Sequence, residues 1–335
     1  MSGMRARHPH LSSVLALLTL AGALASATPA ALPQSAAKPR ATFGVLRRDG
    51  LLVPFASIDG DDWSVPWPTP QHGYGPVEGL LPISLQDVPK KWWGAAGADA
   101  SWTAWLTGEK RPLKLLKPVT IPVFCVPRLA VVTDYSGGPF KRDDPTVPKD
   151  GLAIAGNLAL DPIDQISVHS GDARRIVDVI TDDFNEQEAE AARRFTQWKH
   201  PYPSEERQKF PIELEAYYRA SEKTTRGAWT TSYVEAVRKF PPGPKDKGCG
   251  LITFAQAWIR EQAGKPPDID LGARVTFCDR ADAAFMQPFG RLHVENEVYW
   301  IYQTSSWTDE LYTISRMRPK DIKPVVVVSG GYCNR

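Results

Sequence analysis

The sequence predicts an α+β protein, in which an antiparallel, β-rich N-terminal part precedes a central helical segment and a C-terminal antiparallel sheet. Three observations carry this prediction. Short apolar runs separated by Gly, Pro and Asp-Gly turns fill residues 42–170. After Ser170 the apolar residues recur every three or four positions, which is typical of a helix. From residue 228 onward, runs of aromatic and β-branched residues return.

The first 27 residues have the order of a secretory signal peptide. Arg5 and Arg7 precede an apolar run that ends in the small residues at positions 25–27. The run is shorter than the about 20 apolar residues of a membrane span. We therefore expect cleavage, export to the periplasm or the outside of the cell, and no stable membrane insertion afterwards. An uncleaved N-terminal anchor is the alternative, and residues 28–41 are predicted to be a disordered spacer.

The charge balance argues against an anionic partner. The chain has 40 Lys plus Arg and 38 Asp plus Glu, and loss of the leader removes two Arg and no acid. A mature chain of balanced charge gives no reason to expect nucleic-acid binding. Phosphate-binding loops and the GxSxG motif are absent from the sequence, and we expect no cofactor.

The change of pattern at Ser170 divides the chain into a β-rich domain, 42–170, and an α+β domain, 171–335. Asp49-Gly50 between two apolar runs predicts a hairpin. Ser170 is a suitable N-cap for one long helix or two consecutive ones. A shorter helix is predicted around 211–222.

The apolar segment 251–259 fits two structures. Leu251, Phe254, Ala255 and Trp258 follow the helical spacing, and Gly264 would end such a helix. The β-branched and aromatic content and the neighbouring strands favour a strand that is buried on both faces. The sequence leaves both structures open.

Four cysteines in an exported chain predict disulfides: Cys125, Cys249, Cys278 and Cys333. Three pairings are possible, and the sequence does not choose among them. A structural disulfide is also the favoured role of Cys249, because a catalytic Cys249 would leave another cysteine unpaired.

The alternative role for Cys249 is that of a nucleophile. Cys249-Gly250 precedes the apolar segment, and His293 follows in a predicted strand. This order resembles that of papain-like cysteine hydrolases. The resemblance implies hydrolysis of peptide or cell-wall amide bonds by Cys249 with His293 as its base.

Six Trp residues surround a Pro- and Gly-rich stretch: Trp63, Trp67, Trp92, Trp93, Trp102 and Trp105. Packing inside a β-domain is their ordinary role, since large aromatic side chains are normally buried. Exposed indole rings could also stack on sugars or anchor a protein partner. These residues are therefore the predicted binding surface.

The spacing of His, Cys and acidic residues indicates no metal site, because the mature chain has no HExxH motif and no His pair at helical spacing. The sequence predicts an exported, disulfide-containing, tryptophan-rich protein. The leading hypothesis is a non-enzymatic envelope or secreted protein that binds a glycan or a protein partner.

Overall fold

The computed structural model describes residues 38–68, 84–140, 147–195, 200–225, 227–242, 250–281 and 283–333. The predicted signal peptide, most of the predicted spacer and Cys249 lie outside these residues. Within the described residues, the chain from Lys38 onward forms one compact unit.

Antiparallel strands dominate the fold, so a mostly-β protein is confirmed. Among the described residues the first sheet has the order β5-β4-β8-β1-β2-β7-β6, with β3 paired to β2. Its strands are β1 Arg40–Arg47, β2 Leu51–Asp59, β3 Asp62–Ser64, β4 Trp102–Leu106, β5 Glu109–Leu113, β6 Leu115–Val123, β7 Val126–Thr133 and β8 Lys149–Gly156.

Two further sheets follow in the described chain, with the orders β13-β12-β11-β10-β9 and β14-β15-β16-β17. The second sheet contains β9 Asp164–Gln165, β10 Glu213–Thr224, β11 Gly227–Lys239, β12 Leu251–Glu261 and β13 Asp268–Phe277. The third contains β14 Phe285–Val294, β15 Glu297–Ser305, β16 Asp309–Met317 and β17 Ile322–Tyr332. The helices are α1 Gly171–Arg194 and the single turn α2 Ser204–Arg207, and 3₁₀ segments span Leu85–Asp87 and Lys90–Ala96.

The third sheet lies between the other two. On one side its Tyr312 ring packs 5.5 Å from Phe55 of the first sheet. On the other side its Trp300 ring packs 5.3 Å from Trp258 of the second sheet. The apolar face of α1 covers the far face of the second sheet. The order of layers is therefore helix, second sheet, third sheet and first sheet.

Hairpins form where short turn sequences favour them, and the one predicted at Asp49-Gly50 is among them. β1 and β2 pair across the Asp49-Gly50 turn, in which Gly50 has a φ of 82° that suits glycine. β14 and β15 pair across Glu295-Asn296. One buried cluster joins side chains from both sides of residue 170. The division into two domains at this position stays a prediction.

The central helical segment is one long helix rather than several. Ser170 caps α1 as predicted, since its hydroxyl accepts the Ala173 N–H at 3.1 Å. The helix predicted around 211–222 is wrong, because these residues form β10. Alternating burial explains the correction: Tyr217 packs against α1, while the next residue, Tyr218, packs against the third sheet.

Residues 251–261 form β12, an interior strand of the second sheet. Its backbone pairs with β11 on one side and β13 on the other. Ala255 and Ala257 face α1, whereas Phe254 and Trp258 face the third sheet. Because both faces are buried, the strand needs no alternation of apolar and polar residues, and its apolar residues match a helical spacing by coincidence.

Candidate functional site

The six predicted binding tryptophans divide between the two faces of the first sheet. Trp63 and Trp105 pack on the face toward the third sheet. The other four pack together on the outer face, and we call them the tryptophan cap: Trp67, Trp92, Trp93 and Trp102. The structure therefore brings four of the predicted residues into one site.

The rings of the tryptophan cap are mostly buried. Trp67, Trp93 and Trp102 are only 3%, 2% and 4% exposed. The Trp67 ring lies 5.5 Å from the Trp92 ring and 5.4 Å from the Trp93 ring, in tilted and edge-on geometry. The cap is thus a second apolar core, and little indole surface is open for stacking.

Side chains of the first sheet hold the tryptophan cap in place. The hydroxyl of Thr42 donates to the Trp93 carbonyl at 2.6 Å, and the Ser57 hydroxyl accepts the Ala95 N–H at 2.8 Å. Between them, Gly94 has a φ of 60° and a ψ of −152°. Only glycine adopts this conformation readily, and it lets the 3₁₀ segment lie directly on the strands.

A cleft of about 620 Å³ opens beside the tryptophan cap. Its floor is apolar and includes Trp93 and Trp102 with four aliphatic side chains: Leu85, Val88, Leu113 and Leu115. Its rim carries charged side chains of both signs: Lys90, Lys114, Asp99 and Asp134. A concave apolar floor with a polar rim is the usual form of a binding site.

A second, shallower hollow of about 670 Å³ lies next to Trp67 and Trp92. Val65 and Val327 on its walls are 42% and 55% exposed. Exposed aliphatic side chains grouped in this way are typical of contact surfaces. The hollow extends the apolar character of the site from the 3₁₀ segments to β17.

His293 lies on β14, away from the tryptophan cap. Its Nε2 atom is 3.5 Å from a carboxylate oxygen of Asp161 and 3.5 Å from one of Glu222. Arg291 donates to the same Glu222 at 2.6 Å. Burial raises the pKa of Glu222. This cluster joins β14 to β10.

The proposed partner of His293, Cys249, lies outside the described residues. Its neighbour Gly250 directly precedes β12. Glu222, which contacts His293, pairs with Trp229 near the opposite end of the second sheet. About ten residues of strand at about 3.3 Å each separate these ends by roughly 30 Å. The described geometry gives the Cys249–His293 dyad no support, and the dyad stays a prediction.

The cysteines in the described residues form disulfides. Cys125 and Cys333 are bonded to each other, with their Cα atoms 4.8 Å apart. Cys278 is also disulfide-bonded. The Cys125–Cys333 bond ties the β6–β7 turn to the end of β17, and the prediction of disulfides is confirmed for this pair.

The described part of the chain contains no group of three or more His, Cys, Asp or Glu side chains that could hold a metal ion. Among its helices, none has the length and apolar composition that a membrane crossing needs.

The sequence indicates the tryptophans but not the aliphatic half of the cleft, which comes from residues 85–88 and from β5 and β6. One local signal is Gly108, a turn residue between two apolar runs, where the chain brings β5 back beside β4. Comparison with known proteins adds no identification: no family model, curated protein or solved structure matches the chain.

Proposed function

We propose that this chain is an exported, non-enzymatic binding protein, and that the cleft beside the tryptophan cap binds apolar side chains of a protein partner. The observation that carries the proposal is the cleft itself, with its apolar floor and charged rim. The adjoining hollow, with exposed Val65 and Val327, enlarges the apolar contact area.

Of the two partner classes that the sequence suggests, a protein fits better than a glycan. A sugar ring stacks on an open indole face. Trp67, Trp93 and Trp102 are buried against each other and the sheet, and Lys110 lies 4.3 Å above the Trp105 ring. An aliphatic or aromatic side chain needs only an apolar cavity, which the cleft offers.

Export is part of the proposal. The disulfide between Cys125 and Cys333 is compatible with an oxidising compartment, such as the periplasm or the extracellular medium.

Paired variants of β6 test the proposed site. Leu115 lines the cleft, whereas its neighbour Leu116 is 46% exposed and lies outside it. The experiment measures how wild type, Leu115→Glu and Leu116→Glu bind two sets of ligands. One set is an array of peptides with apolar anchors, and the other is a panel of soluble oligosaccharides. We expect peptide binding that Leu115→Glu weakens at least about tenfold, since a buried charge costs several kcal/mol. Leu116→Glu should bind like wild type.

Two results would count against the proposal. Binding of oligosaccharides alone would assign the site to a glycan. Equal peptide affinities for the folded Leu115→Glu variant and wild type would place the contact surface elsewhere. The thermal midpoint of each variant shows whether it is folded.

A further inference from the structure

Glu235 is a carboxylic acid buried between the second and third sheets. Its side chain projects from β11, and the residue is 4% exposed. It accepts the backbone N–H of Met286 at 2.6 Å and the hydroxyl of Tyr233 at 3.3 Å. Because Met286 belongs to β14, this carboxyl of the second sheet holds the start of the third.

The two ends of β14 are attached to the second sheet by different chemistry. At the far end, Arg291 and buried Glu222 form an ion pair at 2.6 Å. At the near end, Glu235 and the Gln256 amide, which donates to the Ala284 carbonyl at 2.5 Å, provide the polar contacts. The near end therefore depends on a carboxyl to which no cation of the described residues forms a hydrogen bond or an ion pair.

The charged and titratable groups that face Glu235 come from three elements: Glu215 and Tyr218 on β10, Tyr233 on β11 and Arg280 in the β13–β14 connection. Arg280 is engaged by Glu215, which it binds through both of its terminal nitrogens. It therefore compensates little of any charge on Glu235.

Burial dominates the protonation of this carboxyl. It raises the pKa of Glu235 to about 7, although the hydrogen bond from Met286 acts in the opposite direction. The neutral and ionised forms are thus both populated near neutral pH. The charged form is the one that the interface disfavours.

We propose that Glu235 is a pH-sensitive latch, whose ionisation releases the start of β14 from the second sheet. An ionised carboxylate at this buried position is poorly solvated, and the nearby Arg280 is bound to Glu215, whereas local opening supplies water. In the opened state the carboxyl of Glu235 regains its usual pKa. The equilibrium constant for opening should therefore increase on the order of 50-fold between pH 5 and pH 8. The Arg291–Glu222 pair keeps the far end of β14 attached.

Hydrogen exchange of the full chain tests the latch. The Met286 amide, which donates to Glu235, would be compared with the Ile301 amide in the buried cluster of the first and third sheets. After correction for intrinsic exchange, the protection of Met286 relative to Ile301 should fall on the order of 50-fold from pH 5 to pH 8. Glu235→Gln should abolish this fall, whereas the exposed control Glu213→Gln should keep it.

A protection ratio that is constant with pH in wild type would overturn the proposal. So would a Glu235→Gln variant with the wild-type fall. If Glu235→Gln does not fold, the wild-type titration alone decides the question, because it requires no substitution.

Discussion

Arg238 on β11 donates a hydrogen bond to Glu188 on α1 at 2.5 Å, and their side chains are only 2% and 1% exposed. The same guanidinium donates to the side chain of Asn185 and to the Phe210 carbonyl. A second cation, Arg207, lies 3.5 Å from Glu188. This buried polar contact joins α1 to the second sheet beside their predominantly apolar packing.

Removing one member of the pair should therefore destabilise the protein strongly. Arg238→Met leaves Glu188 buried with only the longer Arg207 contact, and such losses cost about 3–5 kcal/mol. Lys239→Met is the matched control, since Lys239 is adjacent, half-exposed and paired with exposed Glu213. It should cost less than about 1 kcal/mol. Urea unfolding measures both, and equal losses would contradict the structural role of the buried pair.

The second disulfide is predicted to join Cys249 to Cys278. Cys278 is disulfide-bonded, and its backbone N–H donates to the Gly250 carbonyl at 3.1 Å. Cys249 precedes Gly250 and is the remaining cysteine of the four in the sequence. Non-reducing peptide mapping should show this link, and thiol titration in denaturant should find no free thiol. A reactive thiol at Cys249 would contradict the pairing and renew the case for a nucleophile.

Local features of the fold could be predicted from the sequence, because their causes lie within a few residues. Asp49-Gly50 specifies a hairpin by itself, and Ser170 caps α1 through an amide three residues away. The strands β10 and β12 were harder. β12 is buried on both faces, so the period-two pattern that identifies a strand is missing from Leu251 onward. In β10 the adjacent Tyr217 and Tyr218 pack on opposite faces of the sheet, so an apolar pair interrupts the alternation.

The site was predictable only in part. Trp density marked the region, but a sequence does not show whether a ring faces solvent or another ring. Trp67 is buried because Trp92 and Trp93 pack on it from a 3₁₀ segment more than 20 residues later. The aliphatic wall of the cleft comes from Leu113 and Leu115, which only tertiary contacts bring beside the tryptophan cap.

Gly94→Ala should detach the tryptophan cap from the first sheet. A Cβ at this position would lie 2.3 Å from the Ser57 hydroxyl oxygen and 2.8 Å from that of Thr42. Gly97→Ala is the control, because Gly97 also has positive φ, but its Cβ would have nothing within 4 Å. We expect a loss of about 3 kcal/mol for Gly94→Ala and about 1 kcal/mol for Gly97→Ala. Urea unfolding followed by Trp fluorescence measures both, and equal losses would show that the close approach at Gly94 is unimportant.

Buried Glu235 and half-buried His200 should give stability opposite dependences on pH. Burial raises the pKa of Glu235 to about 7, above its usual 4.5, so the folded state holds the proton more tightly. This contribution is fully present below about pH 4.5 and is lost as pH rises through 7, with a change of about 3 kcal/mol. Burial lowers the pKa of His200 to about 4 from its usual 6.5. That contribution is fully present above about pH 6.5 and is lost as pH falls toward 4.

Between about pH 4.5 and 6.5 these two effects partly cancel in wild type, and single substitutions should reveal each one. Relative to wild type, Glu235→Gln should gain stability as pH rises from 4.5 to 7, because the penalty for ionising Glu235 is gone. His200→Gln keeps an acceptor for the Tyr202 N–H and removes the titrating ring. Relative to wild type, it should gain stability as pH falls from 6.5 to 4. Urea unfolding at one-unit intervals measures these differences, in which the titration of all other groups cancels. If the difference in unfolding free energy between a variant and wild type does not change with pH, the substituted residue has the same pKa in the folded and the unfolded chain. That result would contradict the prediction for that residue.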